Sequence, residues 1–152
     1  MADGVFNIAK GLIGYYSGLP AANDALLVVL LKASGLEADD TLNNHDNLSV
    51  LLAAANDEAD FTNYTRKTLA SVTWTVNDTT NLADGDAADF TYTSAGGATN
   101  NSIGKALVVY DPDTTTGTDT TVIPLSYHDC VFTTDGTDQQ ITIAAAGFCR
   151  AA

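Results

Sequence analysis

Residues 71–76 read Ser71-Val72-Thr73-Trp74-Thr75-Val76, and residues 89–93 read Asp89-Phe90-Thr91-Tyr92-Thr93. In both, large apolar side chains alternate with hydroxyl-bearing ones. A period of two is the signature of a strand with one face on a core and one in water. The pattern places Val72, Trp74 and Val76 on one face. Further strand candidates follow at Lys105–Tyr110, Thr121–Leu125, Tyr127–Thr133 and Gln140–Ala144. The joints are rich in turn residues: Asn77-Asp78, Asp84-Gly85-Asp86, Gly96-Gly97, Asp111-Pro112-Asp113, Thr116-Gly117 and Asp135-Gly136. Short strands separated by such joints predict an antiparallel β-sandwich or barrel.

Working back towards the N-terminus, the pattern changes. The run Ala25-Leu26-Leu27-Val28-Val29-Leu30-Leu31 is continuously apolar, which suits a strand covered on both faces, although periodicity alone leaves a buried helix open. Leu48, Leu51, Leu52 and Ala55 recur at helical spacing, and Asp46 or Thr41 can cap that helix. A shorter helical turn is expected near 57–66, with Asp57 as its cap and Phe61, Tyr64 and Thr65 on one face. Residues 1–23 contain Phe6, Ile8, Leu12, Ile13, Tyr15 and Tyr16, but Gly4, Gly11, Gly14 and Gly18 interrupt any helix. This stretch, closed by Pro20, reads as an extended arm lying on its own domain or on a neighbour. Phe6, Ile8, Leu12, Tyr15 and Tyr16 are its candidate assembly contacts. The expected fold is therefore α+β: an arm over 1–23, then a single β-rich domain over 24–152 with a helical segment near 41–66.

Composition bounds the function. The chain has 152 residues, enough for one domain with a core of its own. Seventeen acidic residues are Asp and only two are Glu, and Lys and Arg together number six, for a net charge of −13. Nucleic-acid binding begins with cations that neutralise phosphates, and the nearest approach to a basic cluster is Arg66-Lys67. Neither nucleic acid nor a membrane is expected as a partner. No apolar run has the length of a membrane-spanning helix. The N-terminus lacks the basic and apolar pattern of a secretion signal, so the chain is expected to stay in the cytoplasm where it is made until released by another route. In that compartment Cys130 and Cys149 are expected to be two thiols.

Sites of chemistry are sparse. His128-Asp129-Cys130 is the one place where nucleophile, base and carboxylate types cluster, and a strand would put His128 and Cys130 on one face. Sequence adjacency supplies neither hydrogen-bond geometry nor an oxyanion site, so a half-buried strand is the favoured reading. His45, in Asn43-Asn44-His45-Asp46, is expected to be a solvated residue at a helix start. Asp111-Pro112-Asp113-Thr114-Thr115-Thr116-Gly117-Thr118-Asp119 alternates oxygen side chains as a calcium loop does. Its glycine falls at the seventh position rather than the sixth, and Val122 stands at the twelfth where glutamate is needed. A hairpin loop is favoured. No catalytic residue, cofactor or metal is expected, and the chain reads as a non-enzyme.

Several segments together resemble a known group. They are Asn23-Asp24 with the run through Ser34-Gly35-Leu36-Glu37, Ser49–Ala55, Val109-Tyr110-Asp111-Pro112-Asp113-Thr114-Thr115 with Ile123-Pro124-Leu125, and Ala145-Ala146-Gly147-Phe148. They are similar to small proteins encoded among the virion genes of tailed bacteriophages. The resemblance covers most of the chain and implies a virion structural protein. It carries over no site residue. The leading expectation is a capsid decoration, or cement, subunit on the outer surface of the particle, made in the host cytoplasm and bound to the major capsid protein. A tail, neck or fibre component is the alternative, and a module binding host-surface carbohydrate is a third. Decoration proteins as a type suggest a homo-oligomer, with a trimer as the expected form.

Overall fold

The computed structural model describes residues 3–144 and 147–151. Met1, Ala2 and Ala152 of the expected arm and domain, and Ala145 and Ala146 of the last resembling segment, lie outside the described residues.

The apolar run forms β2 (Ala25–Lys32). It pairs antiparallel with β7 (Ser102–Asp111), which pairs in turn with β8 (Ile123–Thr133). Short strands β1 (Gly4–Val5) and β3 (Lys67–Thr68) complete a five-stranded sheet in the order β1-β8-β7-β2-β3. A three-stranded sheet has the order β10-β5-β4, from β4 (Thr73–Asn77), β5 (Leu82–Asp86) and β10 (Cys149–Ala151). β6 (Phe90–Tyr92) and β9 (Gln139–Ile141) form a two-stranded ribbon. Three short helices are present among the described residues: α1 (Ile13–Ser17), α2 (Asp39–Leu42) and α3 (Leu48–Ala53). The fold is α+β and mainly antiparallel β. The sheets stay open rather than closing into a barrel.

Both faces of the central sheet are covered, which is why β2 and β7 lack an apolar/polar alternation. Leu26, Val28, Leu30, Ala106, Val108 and Tyr110 face one core, shared with Phe61, Tyr92 and Phe148. Val29, Leu31, Leu107, Val109 and Tyr127 face the other, shared with Leu42, Leu48 and Leu51 from the helices. Tyr92 is fully buried among Phe61, Tyr64 and Phe90, with ring centroids 5.6, 5.9 and 5.8 Å away. Its hydroxyl has no hydrogen-bond partner among the described residues. Removing an unsatisfied buried polar atom while keeping the shape should be neutral or favourable. Tyr92→Phe is therefore expected to leave stability unchanged or raise it by about 1 kcal/mol in urea unfolding. A loss of more than about 1 kcal/mol would mean that the hydroxyl is satisfied after all.

The N-terminal segment corrects the expectation of an extended arm. Only Gly4–Val5 is strand; a 3₁₀ turn (Asn7–Ala9) and α1 follow. Gly11 at φ +81° ends the first turn, and Gly14 sits inside α1. A glycine in a helix costs about 1 kcal/mol. Here burial outweighs that: Phe6 enters the helical side of the core, and Ala9, Ile13 and Tyr16 pack on the opposite side.

Other expectations are corrected by long-range pairing. Residues 57–66 hold no helix. Asp57 accepts the Lys32 amide at 2.8 Å, Glu58 bridges Leu31, and Ala59 donates to Leu30 at 2.9 Å. Lying along the free side of β2 satisfies these backbone groups better than a single helical turn would. The helical segment splits into α2 and α3, and α3 is capped by Asn47, whose side chain accepts the Val50 amide at 3.0 Å. The two expected strands at 121–125 and 127–133 are one, β8. Pro124 is tolerated because the register shifts between Val108 and Val109 opposite it. Asp84-Gly85-Asp86 lies within β5 rather than in a turn. A Cβ on Gly85 would stand 2.8 Å from the Trp74 indole, so the glycine makes room for the ring across the strand pair.

Candidate functional site

The candidate assembly residues divide by exposure. Phe6 is fully buried against Tyr127, with centroids 5.4 Å apart and rings nearly perpendicular. Ile8 is half-buried against the helical core. Tyr16 packs on Tyr110 at 4.9 Å. Leu12 and Tyr15 face outward, 44% and 61% exposed, and Leu19 just beyond α1 is 39% exposed. One segment therefore anchors itself with Phe6, Ala9, Ile13 and Tyr16 and presents Leu12, Tyr15 and Leu19 to solvent. Its helix is fastened at the end: Ser17 Oγ accepts the Trp74 indole N–H at 2.8 Å and donates to the Ile13 carbonyl.

His128 and Cys130 both line a cleft of about 220 Å³ between β8 and residues 141–144 and 147–148, with Asp3 also in its lining. His128 Nε2 lies 3.0 Å from Ser126 Oγ, and Nδ1 lies 3.5 Å from Asp3 Oδ2. Hydroxyl, imidazole and carboxylate stand in the order used for acyl transfer. Ser126 is only 1% exposed, however, so its oxygen is closed to a substrate carbonyl. Burial pushes the Cys130 thiol up to about 11, which keeps it protonated and unreactive at neutral pH. Burial, then the nearby Asp84 carboxylate, also raises the Cys149 thiol. Both cysteines are free thiols. Asp3 Oδ1 accepts the Asp129 amide at 2.8 Å. Together these contacts latch β1 onto β8.

In the Asp111–Asp119 loop the carboxylates are turned to different tasks. Asp113 accepts from the hydroxyls and amides of Thr115 and Thr116. Asp119 is bound in a fork by Arg66, at 2.6 and 2.9 Å, and the same guanidinium binds Glu58 at 2.8 and 2.7 Å. The Arg66 clasp ties Asp119 of the loop to Glu58, which bridges β2. His45 is not a solvated helix-start residue. Its Nε2 lies 2.7 Å from Glu37 Oε2, which Asn56 also donates to at 2.6 Å. Neighbouring sequence could not reveal this pairing, because Glu37, His45 and Asn56 meet only when the loops around α2 and α3 fold back.

These contacts predict acid behaviour. Hydrogen bonds from His45 and then Asn56 hold the Glu37 carboxyl below its usual range, against the effect of burial. Arg66 does the same for Asp119, Thr115 and Thr116 for Asp113, Lys32 and Asn101 for Asp60, Arg150 for Asp84, and Thr137 for Asp135. A carboxyl lowered by folding is protonated more readily in the unfolded chain. Its stabilisation is present above the ordinary carboxylate value and is lost as pH falls through the folded value. Melting temperature in moderate salt is expected to hold from neutral pH to about pH 5 and to fall steeply below about pH 4. A midpoint unchanged at about pH 3 would contradict the assignment of these pairs.

No helix of the described residues is long and apolar enough to cross a membrane. Compared with protein-family models, with curated proteins and with solved structures, the chain finds no match.

Proposed function

We propose that this chain is a non-enzymatic structural subunit of a bacteriophage particle, specifically a decoration subunit that attaches to the outside of the shell through its N-terminal segment. The observation that carries the reading is the exposure of Leu12, Tyr15 and Leu19 on a segment whose other apolar residues are buried at home. Large apolar side chains that the chain itself leaves uncovered on one short segment suit a protein–protein contact. Its resemblance to virion proteins of tailed phages supplies the setting. The charge of −13 favours an outward position, away from packaged DNA. The partner in this reading is the major capsid protein.

The test uses particles of the encoding phage prepared without this chain. Purified chain is mixed with isolated heads and isolated tails and sedimented through a gradient. Co-sedimentation with heads is expected, and Leu12→Asp with Tyr15→Asp should weaken it by about ten-fold or more. Binding to tails alone would replace the shell position with a tail position. A chain that stays at the top of the gradient with both would overturn the virion reading.

A further inference from the structure

The three-stranded sheet ends at β4, Thr73-Trp74-Thr75-Val76-Asn77, which pairs with β5 and has no strand on its other side among the described residues. Unpaired edges invite another strand, and natural sheets blunt them with charge, proline, bulges or shortness. The other edges here are treated that way. β1 and β3 are two residues long, and β3 carries Lys67. β6 and β9 are three residues long, and β10 carries Arg150. Where β8 runs past β1, from His128 to Thr133, it carries Asp129, whose amide Asp3 already takes, and has a register shift opposite Ile103–Lys105. β4 has five residues. From Ser71 through Asn77 it contains no charge, no proline and no glycine.

The direction of its free backbone groups follows from β5. Phe148 donates its amide to the Gly85 carbonyl at 2.9 Å, so Gly85 turns its hydrogen-bonding groups towards β10. Gly85 is the partner of Trp74 in β4. In an antiparallel pair such a position is non-hydrogen-bonded, so Trp74 turns its N–H and C=O outward, and Val76, two residues on, does the same. Val76 is 70% exposed, and it shares a strand face with Trp74.

We propose that β4 pairs with β4 of a second copy of this chain, antiparallel, about a two-fold axis through Thr75. That centre alone overlaps the whole of Thr73–Asn77 with itself. Thr75 then meets Thr75 as a non-hydrogen-bonded pair. Trp74 of each copy exchanges both backbone hydrogen bonds with Val76 of the other. The same register lays each exposed Val76 beside the partner copy's Trp74, an aromatic and β-branched cross-strand pair. A second copy fits better than a charged partner strand because the edge offers nothing for a charge to pair with. The two sheets become one, and the contact is self-complementary, as a two-fold requires. Two chains of −13 repel each other away from the contact, so salt strengthens the pairing.

The test is made on the free full-length chain, so its outcome is independent of particle binding. Sedimentation velocity across concentration and ionic strength is expected to show a monomer–dimer equilibrium that shifts towards dimer with salt. Thr75→Cys should form an intermolecular disulfide on mild oxidation, since facing positions of a non-hydrogen-bonded pair stand at about 4.5 Å between Cα atoms. Thr80→Cys, in the turn after β4, should not. Val76→Lys places a charge on an exposed position that no core contact uses. It should leave the melting temperature unchanged and weaken the dimer by about ten-fold or more. A strict monomer at all conditions overturns the proposal. So does a dimer or trimer that Thr75→Cys does not cross-link and Val76→Lys does not disturb.

Discussion

Phe6→Ala is expected to destabilise the free chain by about 3–5 kcal/mol, the usual cost of deleting a fully buried phenylalanine. Phe6 is 0% exposed, sits edge-on to Tyr127, and fills the space between the sheet and Leu42, Leu48 and Leu51. Its amide also donates to the Leu125 carbonyl at 3.0 Å, which fixes the chain beside β8. Domains of this kind have about 5–15 kcal/mol of stability in total, so the loss should be visible as a large drop in the urea midpoint. Tyr15→Ala, at a position 61% exposed, should stay within about 0.5 kcal/mol of the parent. The two variants thus separate the roles of one short segment. Phe6→Ala should lower stability, and Tyr15→Ala should lower particle binding with stability intact. A Phe6→Ala chain within about 1 kcal/mol of the parent would show that the N-terminal segment is not part of the core.

Lys105→Ala should be the other severe change. Lys105 lies in the middle of β7 with its side chain 0% exposed. Its ammonium is 2.7 Å from Asp129 Oδ1 on β8, 3.0 Å from Asp39 Oδ1 on α2, and 5.0 Å from the centre of the Tyr127 ring. Burial alone would lower the lysine's proton affinity. The two carboxylates outweigh it, and the group is held above its ordinary value. Removing one partner of a buried ion pair costs about 3–5 kcal/mol. The lower end, about 3 kcal/mol, is expected here because Asp39 and Asp129 keep contact with water, at 22% and 33% exposure. A lysine raised by folding stabilises below its unfolded value and loses that contribution as pH rises through its folded value. The gap between Lys105→Ala and the parent should therefore be constant through the neutral range and close only above the ordinary value of 10.5. Chemical unfolding at several pH values checks both size and window. A gap that closed between about pH 6 and 8 would mean that the charge pair is not its source.

Much of the candidate surface was legible in part. Leu12 and Tyr15 were marked by being apolar residues in a glycine-broken stretch, and both face solvent. Phe6 carried the same mark and is core. Nothing local distinguishes them, because the difference is that Phe6 falls where β1 meets β8 and Tyr15 falls on the outer side of α1. The His128 latch shows the same limit. Ser126 and Cys130 flank His128 by strand periodicity, but Asp3 reaches it across 125 residues of chain, which no spacing rule anticipates.

The amino-acid pattern by itself determined that the chain is mainly antiparallel β, that the run from Ala25 to Leu31 belongs to the core, and that Leu48 and Leu51 form the apolar side of a helix. Those properties depend on period and composition over a few neighbours, which is where steric and hydrophobic preferences act. Tertiary structure alone decided that residues 57–59 lie along β2 instead of turning into a helix, that Asp84-Gly85-Asp86 is strand beneath Trp74, and that the stripe from Val72 ends in the open at Val76. In each case the local preference is worth a fraction of a kcal/mol per residue, whereas leaving a buried backbone group unpaired costs about 1–3 kcal/mol, so the distant partner sets the outcome.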